Sequence, residues 1–206
     1  MTVPVAPIIS RISLPDRDGM SAEQQRVFDG IVSGRRGTLV GPLRAALHNP
    51  RLAERWSALG ETLRYDTCMS PRHSELAVLL TARRWNAQLE WAIHRREAER
   101  AGLEPEIVEA IRDGRVPVLS DDRDRAIYDY SVELLMTGDT RDCIYQAVVS
   151  HWGEGGVVEL TALIGYYALV AATLNTHRIP LPEGAQAELA VVGGDMPEFA
   201  VLPVRG

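Results

Sequence analysis

The chain has no lysine. All 22 of its basic side chains are arginine, set against 28 acids for a net charge of −6. The arginines are scattered along the chain, and phosphate binding needs clustered positive charge, so no nucleic-acid partner is expected. Cysteine is nearly missing as well. Cys68 and Cys143 are the whole complement, and neither belongs to a Cys-x-x-Cys. Two free, buried thiols in a reducing compartment are the expectation. No uninterrupted apolar run reaches the ~18 residues of a membrane span, and the first twenty positions lack a basic segment followed by an apolar one. We therefore expect no membrane partner, no export, and a cytoplasmic location. Sustained apolar/polar alternation and internal repeats are also missing, which removes hairpin sheets and solenoids.

What is present is an ordinary globular composition, 46% hydrophobic and 24% charged, long enough for one real core. The periodicity predicts an all-α fold of about seven or eight helices. An extended arm is expected over 1–20, a helical domain over 21–182 and an extended tail over 183–206. Ser21 opens a helix with a capping-box pattern, and Asn49 and Ser70 each precede a proline suited to a first turn. In the helix after Asn49 the inward stripe is expected to be Leu52, Trp56, Leu59 and Leu63. The run 34–41, glycine-punctuated with two arginines, reads either as an anion-contacting loop or as a solvated turn. GEGG at 153–156 reads as a break. The stretch 157–175 is apolar nearly all round, so it is expected at the centre or at a subunit interface, with Gly165 permitting a close helix crossing. Tyr166 and Tyr167 within it either present a hydroxyl to a cavity or are ordinary core residues.

The densest chemistry lies in 70–102. Glu75, Arg83, Arg84, Asn86, Glu90, Trp91 and His94 crowd into this one stretch of helical periodicity. Asn86, Glu90 and His94 are spaced i, i+4, i+8, which places an amide, a carboxylate and an imidazole on one helix face. A carboxylate beside a histidine orients the ring and favours its cation, the pairing that general acid/base catalysis uses. The same pair on a solvated face is often inert. Glu75, Glu90 and His94 also make a conceivable one-His, two-carboxylate set for a hard cation, with no convincing further ligand.

The segment ELAVLLTARRWNAQLEWAIH, followed after six residues by AGL, resembles the carboxymuconolactone decarboxylase family, which includes the alkylhydroperoxidase-D-like proteins. The peroxidase branch of that family has a glutamate, a Cys-x-x-Cys some turns later, and a histidine one turn after the second cysteine. Glu75 and His94 match the glutamate and histidine; Ala87 and Glu90 stand where the cysteines would be. The resemblance therefore implies no thiol peroxidase activity and a closer likeness to the decarboxylase branch, through Glu-Trp-x-x-His. It further implies the alkylhydroperoxidase-D-like helical fold and a homo-oligomer, from dimer to trimer to hexamer. It implies a small-molecule substrate and a carboxy-lyase reaction on a carboxylated lactone, with no cofactor and no metal. In that chemistry His94 is the acid/base, with Glu90 and Glu75 as relay carboxylates. Asn86 donates to a carbonyl, Arg83 or Arg84 binds the carboxylate, and Trp91 and Tyr166 line the substrate site. A thiol-independent antioxidant and a non-enzymatic binding protein on the same scaffold are the alternative readings.

Overall fold

Helix starts are fixed locally. Ser21 accepts from the Gln24 amide while Gln24 reaches back, a complete capping box, and the Asn49 and Ser70 side chains accept from Leu52 and His73. The structure, a computed structural model, describes residues 10–39, 41–191 and 198–205. The first nine positions of the expected arm and 192–197 of the expected tail lie outside the described residues. Among the described residues there are eight α-helices and no strand. They are α1 (Ala22–Ser33), α2 (Pro42–Ala46), α3 (Pro50–Tyr65), α4 (Pro71–Arg84), α5 (Gln88–Arg100), α6 (Pro105–Arg112), α7 (Asp122–Thr137) and α8 (Asp142–Thr176).

Helix α4 is central. It packs on α5, α6, α7 and α8, and its run Leu76 to Ala82 is buried throughout. Helix α8 closes the core from the other side. The GEGG break appears as a kink at Gly153, whose φ of 69° and ψ of −178° suit only glycine. By length and hydropathy α8 could pass for a membrane span, yet half of its most apolar window is buried in the fold.

Three packing expectations need correction. In α3 the buried face is Ala53, Trp56, Gly60 and Leu63, whereas Leu52 and Leu59 are half exposed. The small residues carry the contact with the neighbouring helices, so the bulkiest stripe is not the inner one. Gly165 makes no close crossing within the chain: a Cβ there would meet nothing within 4 Å. It belongs instead to an outward strip of α8 with Val158, Ala162 and Leu169. The two cysteines are free, as separate thiols, but exposed rather than buried. Cys68 sits on the α3–α4 connection and Cys143 in the first turn of α8.

Candidate active site

The α4–α5 hairpin builds the site. Helix α4 ends in a Schellman closure, with the Ala87 amide donating to the Ala82 carbonyl and the Asn86 amide to that of Arg83. Asn86 takes the left-handed position at φ 51°, which asparagine tolerates better than other side chains. Asn86 is therefore outside α5, and the amide, carboxylate and imidazole do not form one continuous helical face.

The reversal brings Glu75 of α4 against His94 of α5. The Glu75 Oε2 and the His94 Nδ1 are 2.7 Å apart, and both side chains are sheltered. Glu75 thereby orients the ring and leaves Nε2 as the nitrogen outside this contact. Tyr167 of α8 covers the ring edge-on, with centroids 4.8 Å apart.

Glu90 lies one turn before His94 on the same face and is 1% exposed. Neither of its oxygens has a hydrogen-bond partner among the described residues. Burial pushes its carboxyl well above the ordinary value, and the nearby Glu75 charge adds to the shift. Glu90 is thus biased toward its protonated form beside the Glu75–His94 pair. Burial raises the Tyr167 phenol in the same way, with Arg64 opposing and Glu75 and Glu90 adding.

The remaining sequence-nominated residues point elsewhere. Asn86 donates to the Glu198 carbonyl at 2.8 Å and accepts from Arg83. Arg83 also reaches the Ala190 carbonyl. Arg84 donates to the carbonyls of Leu135 and Ala200 and stacks over Phe199. Trp91 is fully buried and its indole donates to Glu188. These four side chains bond to the returning C-terminal segment, and Arg84 to α7 as well, so the acceptors of Arg83 and Arg84 in this structure are main-chain carbonyls and the Asn86 amide oxygen. Tyr166 is one aromatic contact removed from His94, through Tyr167 at 5.3 Å between centroids.

Residues that sequence reasoning passed over also contribute. Arg64, in the last turn of α3, lies 5.6 Å from the Tyr65 ring centroid, near enough to Tyr167, Glu75 and Tyr166 for its charge to be felt there. Its signal was present in the sequence: Trp56, Gly60 and Arg64 recur at i, i+4, i+8. Arg36, from the 34–41 loop, donates to the Tyr166 hydroxyl at 3.1 Å. Among the described residues no three His, Cys, Asp or Glu side chains converge closely enough to hold a metal.

Neither a family model nor a curated protein matches the sequence. Solved structures do match the fold. An uncharacterized peroxidase-related protein from Silicibacter sp. TM1040 superposes with a TM-score of 0.69 at 16% identity, covering 89% of this chain and 96% of that one. An alkylhydroperoxidase AhpD core protein, peroxidase-related and from Ralstonia eutropha JMP134, gives 0.69 at 13% identity over 87% and 95%. The debrominase Bmp8 gives 0.62 at 12% identity over 79% and 87%. At these identities the likeness is one of fold, and the fold is the all-helical AhpD-like arrangement found in peroxidase-related proteins.

Proposed function

We propose that the protein is a cofactor-independent acid/base enzyme acting on a small carboxylated lactone or a related intermediate of aromatic breakdown, as a carboxy-lyase or a related isomerase. The observation that supports this reading is the 2.7 Å Glu75–His94 pair beside the buried Glu90. Loss of CO2 from such a lactone breaks the carbon–carboxylate bond and moves its electron pair into the lactone carbonyl as an extended enolate. A proton must then reach carbon. On this reading Glu75 orients the His94 ring, Nε2 delivers the proton, and Glu90, whose proton affinity is raised by burial, is a nearby reserve that can return one to the ring. The thiol route lacks its parts: Ala87 and Glu90 carry no sulfur, and burial together with a hydrogen bond to Glu159 pushes the Cys68 thiol up to about 11. The reading includes a homo-oligomer, with the outward apolar strip of α8 against a second copy.

His94→Gln tests the proposal. Turnover of a carboxymuconolactone-type substrate, followed by lactone absorbance and CO2 release, should fall at least about 100-fold with the helical content unchanged. Turnover near that of the parent protein removes His94 from the reaction.

A further inference from the structure

Around Tyr166 the fold collects hydrogen-bond donors and leaves them short of acceptors. Arg36 gives one N–H to the Tyr166 hydroxyl, while its Nε is buried without a partner among the described residues. Trp56 stands edge-on to Tyr166, centroids 6.4 Å apart. Trp56 is 6% exposed, and its Nε1 is turned to the Tyr166 hydroxyl without completing a well-aligned hydrogen bond. Two turns on, the half-buried Arg64 forms no ion pair among the described residues, and its guanidinium lies 5.6 Å from the Tyr65 ring centroid. Glu75, the nearby carboxylate, is engaged by His94.

Gly60 makes the arrangement possible. A Cβ at that position would overlap both the Tyr166 hydroxyl and the Arg36 guanidinium, so only glycine lets them lie against α3. Of the neighbouring charges, Arg35 pairs with Asp66 at 2.7 Å, and Glu61 lies on the Gly34 side of the loop. Two guanidinium groups, an indole N–H and a phenol with no carboxylate among them leave buried donors unsatisfied, which costs free energy until an acceptor arrives. A carboxylate matches the planar guanidinium fork and brings enough lone pairs for several donors.

We infer that Arg36, Trp56, Arg64 and Tyr166 form a carboxylate-binding subsite for a small organic acid. The Tyr166–Tyr167–His94 ladder sets this subsite apart from the dyad, so the anion it holds is an anchor and not the reacting group. Binding an anchor there raises no objection from ground-state stabilisation of the departing carboxylate. The role as substrate anchor rests on the acid/base reading of His94; the anion binding itself does not.

The test is calorimetric titration of the full chain with benzoate, and with benzamide as its uncharged counterpart, at constant ionic strength. Benzoate should bind saturably and benzamide much more weakly. R36Q and R64Q should each weaken benzoate roughly tenfold to a hundredfold, the range for a lost charge-assisted contact. G60A should also weaken it while keeping both charges, because it displaces the Arg36 and Tyr166 groups. Circular dichroism melting of each variant separates loss of binding from loss of fold. H94Q should bind benzoate as the parent protein does. Equal affinity for benzoate and benzamide overturns the subsite, as does unaltered benzoate binding in both R36Q and R64Q, or no saturable benzoate binding at tens of millimolar. Normal benzoate binding together with a dispensable His94 would overturn the acid/base reading and leave the subsite standing.

Discussion

Glu90 offers a measurement that needs no substrate. An unfolded chain releases this proton near the ordinary glutamate value of 4.5, whereas the folded chain keeps it to a higher pH. Between those two values the native state holds one more proton than the unfolded state, so stability falls as pH rises, by about 1.4 kcal/mol per pH unit. The contribution is complete below the unfolded value and is lost as pH climbs through the raised one. From pH 5 to pH 7 the loss is about 2–3 kcal/mol if the native carboxyl stays protonated throughout, or about 5–10 °C in melting temperature for a chain of this size. Glu90→Gln keeps the shape and removes the ionisation. Other groups titrate in the same range, so the quantity to read is the difference between the two proteins. Urea unfolding followed by circular dichroism at pH 5, 6, 7 and 8 supplies it, at fixed protein concentration so that association does not intrude. The variant should gain on the parent protein steadily with pH. A difference that stays constant across the series would mean that Glu90 is ionised in the fold and that the reasoning from its burial is wrong.

Two further outcomes follow from the surface of the molecule. Cys68 is an exposed residue whose thiol, partly desolvated against Gly156 and beside the Glu159 carboxylate, is pushed up to about 11; it should alkylate with iodoacetamide at pH 7.5 roughly a hundredfold more slowly than a free cysteine peptide. Glu159→Gln should recover part of that rate, and equal rates for protein and peptide would refute the assignment. On α8, Val158 and Leu169 are exposed apolar side chains on the outward strip. On the proposed reading of a homo-oligomer, the double substitution V158R/L169R should lower the mass seen by light scattering to that of a single chain, and an unchanged mass would overturn this strip as the contact.

What the sequence made legible was local. Caps at Ser21, Asn49 and Ser70, and the break at Gly153, depend on side chains reaching their own backbone or on one residue's allowed φ and ψ. What it hid depended on distant partners. The periodicity of α3 fits both a Leu52–Leu59 face and an Ala53–Trp56–Gly60 face, and only α8 decides between them, because Tyr166 needs the hollow at Gly60. Arg83 and Arg84 carry no mark that says whether their acceptor is a substrate or the returning chain. The carbonyls of Ala190 and Ala200, a hundred or more positions away, decide it. The Glu75–His94 contact crosses a helix hairpin, so no periodicity within one helix reveals it; it was nominated through the family pattern. Arg64 was missed because an arginine ending a helix usually just complements the helix dipole.

The exchange at position 90 is where these threads meet. In the peroxidase pattern that this stretch resembles, two thiols would occupy positions 87 and 90, and a dithiol stores two electrons by closing a disulfide. Ala87 and Glu90 can store none. A carboxyl sealed from water can store a proton, however, and Glu90 is placed to do so one helical turn from an imidazole already oriented by Glu75. On the proposed reading, the position that carries a thiol in that pattern serves here to hold a proton. The neighbouring charges suit the second task, since the Glu75 carboxylate raises the affinity of Glu90 for its proton. On the proposed reading, removing that carboxylate should weaken both the orientation of His94 and the protonation of Glu90. The acid/base groups would then fail as a unit rather than one by one.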